Sequence, residues 1–241
     1  MGARSVKRYP WGMRSPLFAL IAGAFAASSC AGKASLEASP AALLSPPEIT
    51  LSPDPEDPPA PQFAAWAATL PALRFVNTRT GAECSVRLYT NDGSIDETAA
   101  AAIDRMLAER DAEPRPLHRR VLQLVVKAAQ KLGVKEVLVV SSFRDNARKG
   151  SHHRHGEALD FSFPGVTAAK LAAYLRKGAR VGVGVYTHPR TQFVHLDVRS
   201  ESYHWADGSP PGRTWRESRM TDRAAPGRDA AYRPEQDLPG G

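Results

Sequence analysis

The pattern of apolar and polar residues predicts regular structure for only part of this chain of 241 residues. Two short segments rich in β-branched and aromatic residues, 73–78 and 84–89, predict strands. Between them lies Arg79-Thr80-Gly81-Ala82, which favours a hairpin turn because glycine adopts positive φ without strain. The folded part of the chain is therefore expected to begin close to Leu73.

Apolar residues at helical spacing predict two helices after this hairpin. The first begins at Asp96, whose carboxylate suits an N-cap, and runs to about Arg110. The second runs from Leu117 to Leu132 and stops at Gly133. Four more strands are predicted at 137–140, 158–163, 181–186 and 192–198, and a third helix from Thr167 to about Lys177. Together these elements predict one α+β domain at 71–206, which is long enough to bury its own core.

The first 30 residues have the composition of an export signal. The basic residues Arg4, Lys7, Arg8 and Arg14, with no acidic residue among them, come before an apolar run at 17–27. That run is too short to span a bilayer comfortably. It ends in Ala27-Ser28-Ser29-Cys30, and small residues directly before a cysteine are similar to a bacterial lipoprotein processing site. Lipidation of Cys30 is one interpretation and plain secretion is the other.

Both interpretations predict an exported protein of the periplasm or cell envelope. A membrane contact is expected only through the lipid anchor of the first. Residues 31–70 are rich in proline, alanine and serine, which predicts a disordered linker that would let the domain reach away from a membrane. Glycine, proline and arginine dominate 207–241, which predicts a disordered tail.

Cysteine content and charge restrict the class of protein further. If Cys30 is lipidated, Cys84 stands alone, so the domain is not a small protein held together by disulfides. The formal net charge of +7 includes the basic residues of the export signal. A basic surface attracts anionic partners in general. Export, and the lack of interleaved aromatic and basic residues, argue against nucleic acid. A solvated basic surface is the simplest interpretation, and an anionic cell-envelope polymer is the favoured partner.

The stretch 151–160 carries the residues that are able to bind a metal or take part in a reaction. Its pattern is Ser-x-His-x-x-Gly-x-Ala-x-Asp, at Ser151, His153, Gly156, Ala158 and Asp160. With His195 downstream, it offers two imidazoles and one carboxylate, a set that suits catalytic zinc with a fourth position for water. On one helix His153 and Asp160 would lie two turns apart, whereas a loop that turns back at Gly156 into a strand can bring them together. Adventitious metal binding by a histidine-rich tract is the alternative from spacing alone.

Here the chain resembles a known family. The stretch 151–160 followed by His195 is similar to the signature of the zinc D-Ala-D-Ala peptidases, whose fold is shared with the Hedgehog signalling domain. The closer resemblance is to the murein endopeptidase K-like branch. It runs in order over 73–205 and rests on 73–81, 140–144, 151–160, 164–166, 182–184, 193–197 and Trp205. It implies a single domain with an antiparallel central sheet and flanking helices.

The resemblance also implies a function. His153, Asp160 and His195 would be ligands of Zn²⁺. The chain would be a zinc metallopeptidase that hydrolyses cross-links between the stem peptides of peptidoglycan by attack of a zinc-bound water. Arg144 matches a family arginine that lies by the substrate, where a guanidinium can hold a carboxylate or stabilise an oxyanion. Which cross-link is cut is left open.

No residue stands out as the general base. Better-known relatives carry Glu, Asp or His two or three residues before the last ligand, where this chain has Phe193 and Gln192. Asp197, two residues beyond that ligand on the same strand face, is the favoured candidate, with His204 and His188 as alternatives. Asp197 would otherwise orient a ligand through a hydrogen bond. The missing base keeps a second function open, a catalytically inactive zinc-containing module of the same fold that binds the cell wall.

Overall fold

The structure, a computed structural model, describes residues 64–108, 113–145, 149–213, 215 and 217–240. The predicted export signal, with Cys30, and the predicted linker as far as residue 63 lie outside the described residues. Within the described ranges no helix has the length and apolar character needed to cross a membrane.

The core of the domain is an eight-stranded sheet. Its strands are β1 (Leu73–Asn77), β2 (Glu83–Val86), β3 (Glu136–Ser141), β4 (Ala158–Ser162), β5 (Val181–Tyr186), β6 (Val194–Val198), β7 (Tyr203–Asp207) and β8 (Ser218–Arg219), in the order β2-β1-β3-β4-β6-β5-β7-β8. The pairs β1–β3 and β5–β7 are parallel and the others are antiparallel. The expectation of an antiparallel sheet is therefore wrong, and the sheet is mixed. One reason is that the helical crossover between β2 and β3 returns the chain to the free side of β1 in the same direction as β1.

Local chemistry sets two helix ends as the sequence predicts, one at Asp96 and one at Gly133. The helices are α1 (Ala65–Ala68), α2 (Glu97–Leu107), α3 (Arg119–Leu132), α4 (Ala168–Leu175) and α5 (Ala225–Ala230), with 3-10 helices at His152–His155 and Pro234–Asp237. Asp96 caps α2 by accepting hydrogen bonds from the backbone N–H groups of Thr98 and Ala99. Gly133 ends α3 with a φ of 67°, in the left-handed region where glycine is favoured.

The two faces of the sheet serve different purposes. On β4, Leu159 and Phe161 belong to the hydrophobic core, where α2, α3 and α4 contact the sheet. Asp160 lies between them in sequence, and successive side chains of a strand point to opposite faces. Burial of the apolar face stabilises the fold by about 25 cal/mol per Å² of apolar surface. The opposite face of the sheet carries polar side chains such as that of Asp160.

Two segments predicted to be disordered contain regular structure. Residues 64–70 include α1, and Ala67 and Leu70 are buried in the core. Beyond Asp207 the chain adds β8 to the sheet edge and then forms α5 and the 3-10 helix Pro234–Asp237. The buried carboxylate of Asp237 accepts a hydrogen bond from Arg120 Nε at 2.6 Å. The average composition of the tail predicts disorder. It does not show that a few acidic side chains of the tail bind arginines of the domain and hold the tail in place.

Asp229 of α5 is the main attachment point of this tail. Its carboxylate accepts hydrogen bonds from the backbone N–H groups of Arg180 at 2.5 Å and Ser202 at 2.6 Å, and from the Ser202 hydroxyl at 2.7 Å. Burial acts to raise the pKa of Asp229, but these hydrogen bonds outweigh it and lower the pKa. The stabilisation is therefore present above the ordinary value of 3.8 and is lost as the pH falls below it.

We expect Asp229→Ala to lower the free energy of unfolding by about 2–4 kcal/mol, because two backbone N–H groups and a hydroxyl lose their acceptor. Urea denaturation at neutral pH measures this change. Glu235→Ala, at an exposed position of the same tail, is the control and should change the free energy by less than about 0.5 kcal/mol. Equal, small effects of the two variants would contradict the role of Asp229.

Candidate metal centre

The structure brings the three predicted ligands together. One ligand atom from each of His153, Asp160 and His195 lies within 4.8 Å of the other two, and all three side chains are buried. His153 Nε2 is 3.1 Å from His195 Nδ1 and 3.3 Å from Asp160 Oδ1. His195 Nδ1 is 2.9 Å from the same carboxylate oxygen. Two nitrogens and one oxygen thus face a common point.

Two elements of the fold produce this convergence. Asp160 on β4 and His195 on β6 are direct cross-strand partners, so their side chains share one face of the sheet. His153 comes from the 3-10 helix His152–His155, which ends at Gly156 with a φ of 69°. A Cβ at Gly156 would also lie 2.6 Å from the ring of Phe143. Glycine is therefore required where the chain turns back toward β4, as the sequence predicts.

The remaining motif residues lie on either side of this turn. Ser151 occupies the N-cap position of the 3-10 helix. Ala158 is fully buried at the start of β4 and is the cross-strand partner of Asp197.

Each imidazole is held so that one nitrogen faces the common point. His153 Nδ1 lies 2.5 Å from the Ser142 carbonyl oxygen, to which it donates, so Nε2 faces the other ligands. His195 Nε2 lies 2.8 Å from Asp197 Oδ2, so Nδ1 is the inward nitrogen. Partners of this kind fix the tautomer and ring orientation of metal-binding histidines. The Ser142 carbonyl has no signal in the sequence because any residue type would supply it.

Asp197 is fixed behind His195. Its buried carboxylate accepts a hydrogen bond from Arg199 Nε at 2.6 Å and a second one from the same guanidinium. Gly182 is the cross-strand partner of Asp197, and a Cβ there would lie 2.3 Å from Asp197 Oδ2. Sequence reasoning missed Arg199, although the polar residues at 195, 197 and 199 recur at every second position, as expected for one face of a strand.

This placement contradicts the prediction that Asp197 is the general base. The carboxylate faces Nε2 of His195, on the far side of the ring from the inward nitrogen, and it is occupied by three donors. Burial acts to raise its pKa, but His195 and Arg199 hold the pKa well below its usual range. The carboxylate therefore suits the alternative role, which is to orient His195.

His204 is also placed away from the centre. Its neighbour Trp205 packs its ring 5.0 Å from the ring of His195, and neighbours along a strand point to opposite faces. His204 instead lies buried with its Nε2 3.3 Å from Asp222 Oδ2 in the tail. Its position contradicts the role of a base in this site.

His188 is the remaining candidate from the sequence. It lies half-buried in the connection between β5 and β6, the strand that carries His195. Its Nδ1 accepts a hydrogen bond from the backbone N–H of Arg190 at 3.2 Å. That bond leaves Nε2 as the nitrogen available to another partner.

Arg144 contacts a predicted ligand directly. Its guanidinium forms an ion pair with Asp160 Oδ2, the oxygen that does not face the two histidines, and its Nε donates to Ser141 Oγ at 2.8 Å. The Arg144 side chain is 41% exposed whereas that of Asp160 is fully buried. Arg144 thus connects the buried ligand set to solvent.

The charged groups of the centre shift one another's pKa. Burial acts to raise the pKa of Asp160, but the histidines and Arg144 hold it well below its usual range. Burial acts to lower the pKa of His195, but hydrogen bonds to Asp160 and Asp197 outweigh it and raise the pKa to about 9. A proton and a metal ion therefore compete for His195.

The donor set fits zinc. Neutral imidazole and carboxylate are ligands that catalytic zinc uses in threes, and both histidines already have their outer nitrogens bound. A family model described as peptidoglycan L,D-endopeptidase MepK (Peptidase_M15_2) matches residues 65–205. No curated protein and no solved structure matches the chain. The family match includes every residue of the centre and ends at Trp205, so β8 and α5 lie beyond it.

Proposed function

Because this chain belongs to the peptidoglycan L,D-endopeptidase MepK family, we propose that it is a zinc-dependent murein endopeptidase that cuts peptide cross-links between stem peptides. Membership of that family makes it a metallopeptidase that acts on peptidoglycan. The main support for zinc is the convergence of His153, Asp160 and His195 with both imidazoles held by second partners. The proposal includes export by the N-terminal segment, with Cys30 as a candidate lipid anchor.

His153 Nε2, Asp160 Oδ1 and His195 Nδ1 would hold the metal. Zinc, when bound, supplies Lewis acidity that activates water and polarises a peptide carbonyl. Asp197 and the Ser142 carbonyl keep the two imidazoles in the required tautomers. Arg144 neutralises the outer oxygen of Asp160, and its exposed face would offer N–H donors to a substrate carboxylate or a developing oxyanion. His188 is the candidate acceptor for the proton that hydrolysis releases.

The test is direct. The purified full chain is stripped with a chelator, reloaded with zinc and incubated with isolated peptidoglycan, and the muropeptides are separated by chromatography. We expect loss of cross-linked dimers only in the zinc-loaded sample, with diaminopimelate–diaminopimelate dimers lost faster than D-Ala–diaminopimelate dimers. Bound zinc without any loss of dimers would contradict endopeptidase activity.

A zinc-containing module that binds the cell wall without cleaving it is the second candidate. Phe193 and Gln192 stand where relatives carry a base, and the structure places Asp197 and His204 away from the inward face of the ligands. The same incubation separates the two functions if the protein that sediments with peptidoglycan is also measured, because this module would sediment with peptidoglycan and leave its cross-links intact.

Arg144→Lys tests the role of the guanidinium beside Asp160. Lysine keeps the positive charge but not the planar fork of donors. We expect bound zinc to be unchanged and kcat/KM to fall about tenfold, which corresponds to the loss of one charge-assisted hydrogen bond. Arg223→Lys, at an exposed position of the tail, is the control. An unchanged kcat/KM for Arg144→Lys would contradict the role.

A further inference from the structure

The tail beyond the family match reaches the sheet face that carries the metal centre. β8 pairs with β7, and Arg219 is the cross-strand partner of Trp205, the last matched residue. Trp205 is in register with Gly184, which pairs with His195, which in turn pairs with Asp160. Cross-strand partners share a face. Arg219 therefore continues the row of side chains that starts at the metal ligands.

A groove of about 500 Å³ lies beside this row. Its lining includes His152, Glu157, Arg199, Glu201, Tyr203 and Arg219. The groove lies behind His195, on the side of the ring that faces Asp197 and Trp205. His152 Nε2 is 3.9 Å from Asp197 Oδ1, and the Trp205 ring, which packs against His195, is 5.7 Å from the ring of Tyr203.

Two guanidinium groups lie over the ring of Tyr203 in this groove. Arg199 lies 5.6 Å and Arg219 lies 5.3 Å from the centre of that ring. Arg199 is committed to Asp197, and His152 is paired with Glu157 at 2.8 Å. Arg219 is exposed, and among the described residues no carboxylate lies within ion-pair distance of it. Arg219 is therefore the cation of the groove that is available to a ligand.

We propose that this groove binds part of a stem peptide whose cross-link lies at the metal centre, and that Arg219, in the same row as the ligands, pairs with a free carboxylate of that peptide. The inference rests on the proposed function. In a diaminopimelate cross-link, an aliphatic chain carries a carboxylate that takes no part in the bond. The ring of Tyr203 offers an apolar surface for such a chain, and Arg219 offers a fork of donors for its carboxylate. Arg219 is thus a specificity-determining residue supplied by the tail.

The experiment uses the full zinc-loaded chain and two probes. Binding of a soluble stem tetrapeptide is measured by calorimetry, with its diaminopimelate carboxylate either free or amidated. Cleavage of cross-linked dimers with free or amidated carboxylates gives kcat and KM. The variants are Arg219→Gln and Arg219→Lys, and Arg223→Gln, at an exposed position of the same tail, is the matched control.

For Arg219→Gln we expect binding of the free-carboxylate peptide to weaken about tenfold, the loss of one charge-assisted pair, and KM to rise by a similar factor. Bound zinc and kcat should not change, and Arg219→Lys should be intermediate. The amidated peptide should bind the wild-type protein and Arg219→Gln equally. An unchanged preference for the free carboxylate in Arg219→Gln would overturn the proposal.

The binding arm separates this inference from the proposed function. If the wild-type protein holds zinc and cleaves nothing, the endopeptidase assignment fails, but loss of carboxylate-dependent binding in Arg219→Gln still supports the groove. If the protein cleaves dimers and Arg219→Gln matches the wild type in both assays, the groove assignment fails and the endopeptidase assignment stands.

Discussion

Replacing His153 with alanine is expected to remove both zinc binding and cleavage. The variant keeps only Asp160 and His195, and two protein ligands are fewer than the three that catalytic zinc uses. Loss of the metal removes several kcal/mol of transition-state stabilisation, so turnover should fall about a thousandfold or more. Elemental analysis of the dialysed protein and chromatography of digested peptidoglycan measure the two effects.

His155→Ala is the matched control for this prediction. His155 belongs to the same 3-10 helix but is exposed, whereas His153 is buried at 3% exposure. The control should keep both zinc and activity. Zinc retained at the wild-type level in His153→Ala would contradict the proposed ligand set. Loss of zinc in both variants would indicate instead that the 3-10 helix had unfolded.

Replacing Asp197 with asparagine is expected to weaken zinc binding by about 10- to 100-fold, the usual effect of losing a partner that orients a metal-binding histidine. The asparagine amide has one oxygen, whereas the carboxylate accepts from His195 Nε2 and from two nitrogens of Arg199. One of these donors would then face an N–H₂ group. Competition with a fluorescent zinc indicator measures the affinity.

The same variant separates the two roles considered for Asp197. A general base contributes to turnover but does not bind the metal, so its loss would lower kcat and leave zinc affinity unchanged. A residue that positions His195 changes zinc affinity first, and saturating zinc should then restore part of the activity. Glu235→Gln, at an exposed position of the tail, is the control for the loss of one carboxylate. Unchanged zinc affinity in Asp197→Asn would contradict the positioning role.

Features determined by neighbouring residues could be predicted from the sequence. The β1–β2 hairpin, the Asp96 cap and the stop at Gly133 each depend on a few adjacent residues, and the structure contains all three. The approach of Asp160 to His153 also depends on a local feature, the turn at Gly156. The position of His195 beside them came from the resemblance to a family and not from spacing.

Features determined by distant residues could not be predicted in this way. The parallel pairing of β1 with β3 depends on how two intervening helices pack. The tail is held by pairs such as Arg120 with Asp237, which are 117 positions apart. The role of Asp197 depends on which nitrogen of His195 it faces, and the sequence shows only that the two residues share a strand face.

The two glycines of β5 show how strictly a site can constrain a strand that contributes no reactive atom. A Cβ at Gly182 would collide with Asp197, and one at Gly184 would lie 2.4 Å from the indole of Trp205. Even alanine at either position would displace the Asp197 carboxylate or the Trp205 indole. The space left by the two glycines of β5 thus sets the positions of the Asp197 carboxylate and the Trp205 indole. A distant relative with a larger residue at either position is expected to have different residues packed against β5.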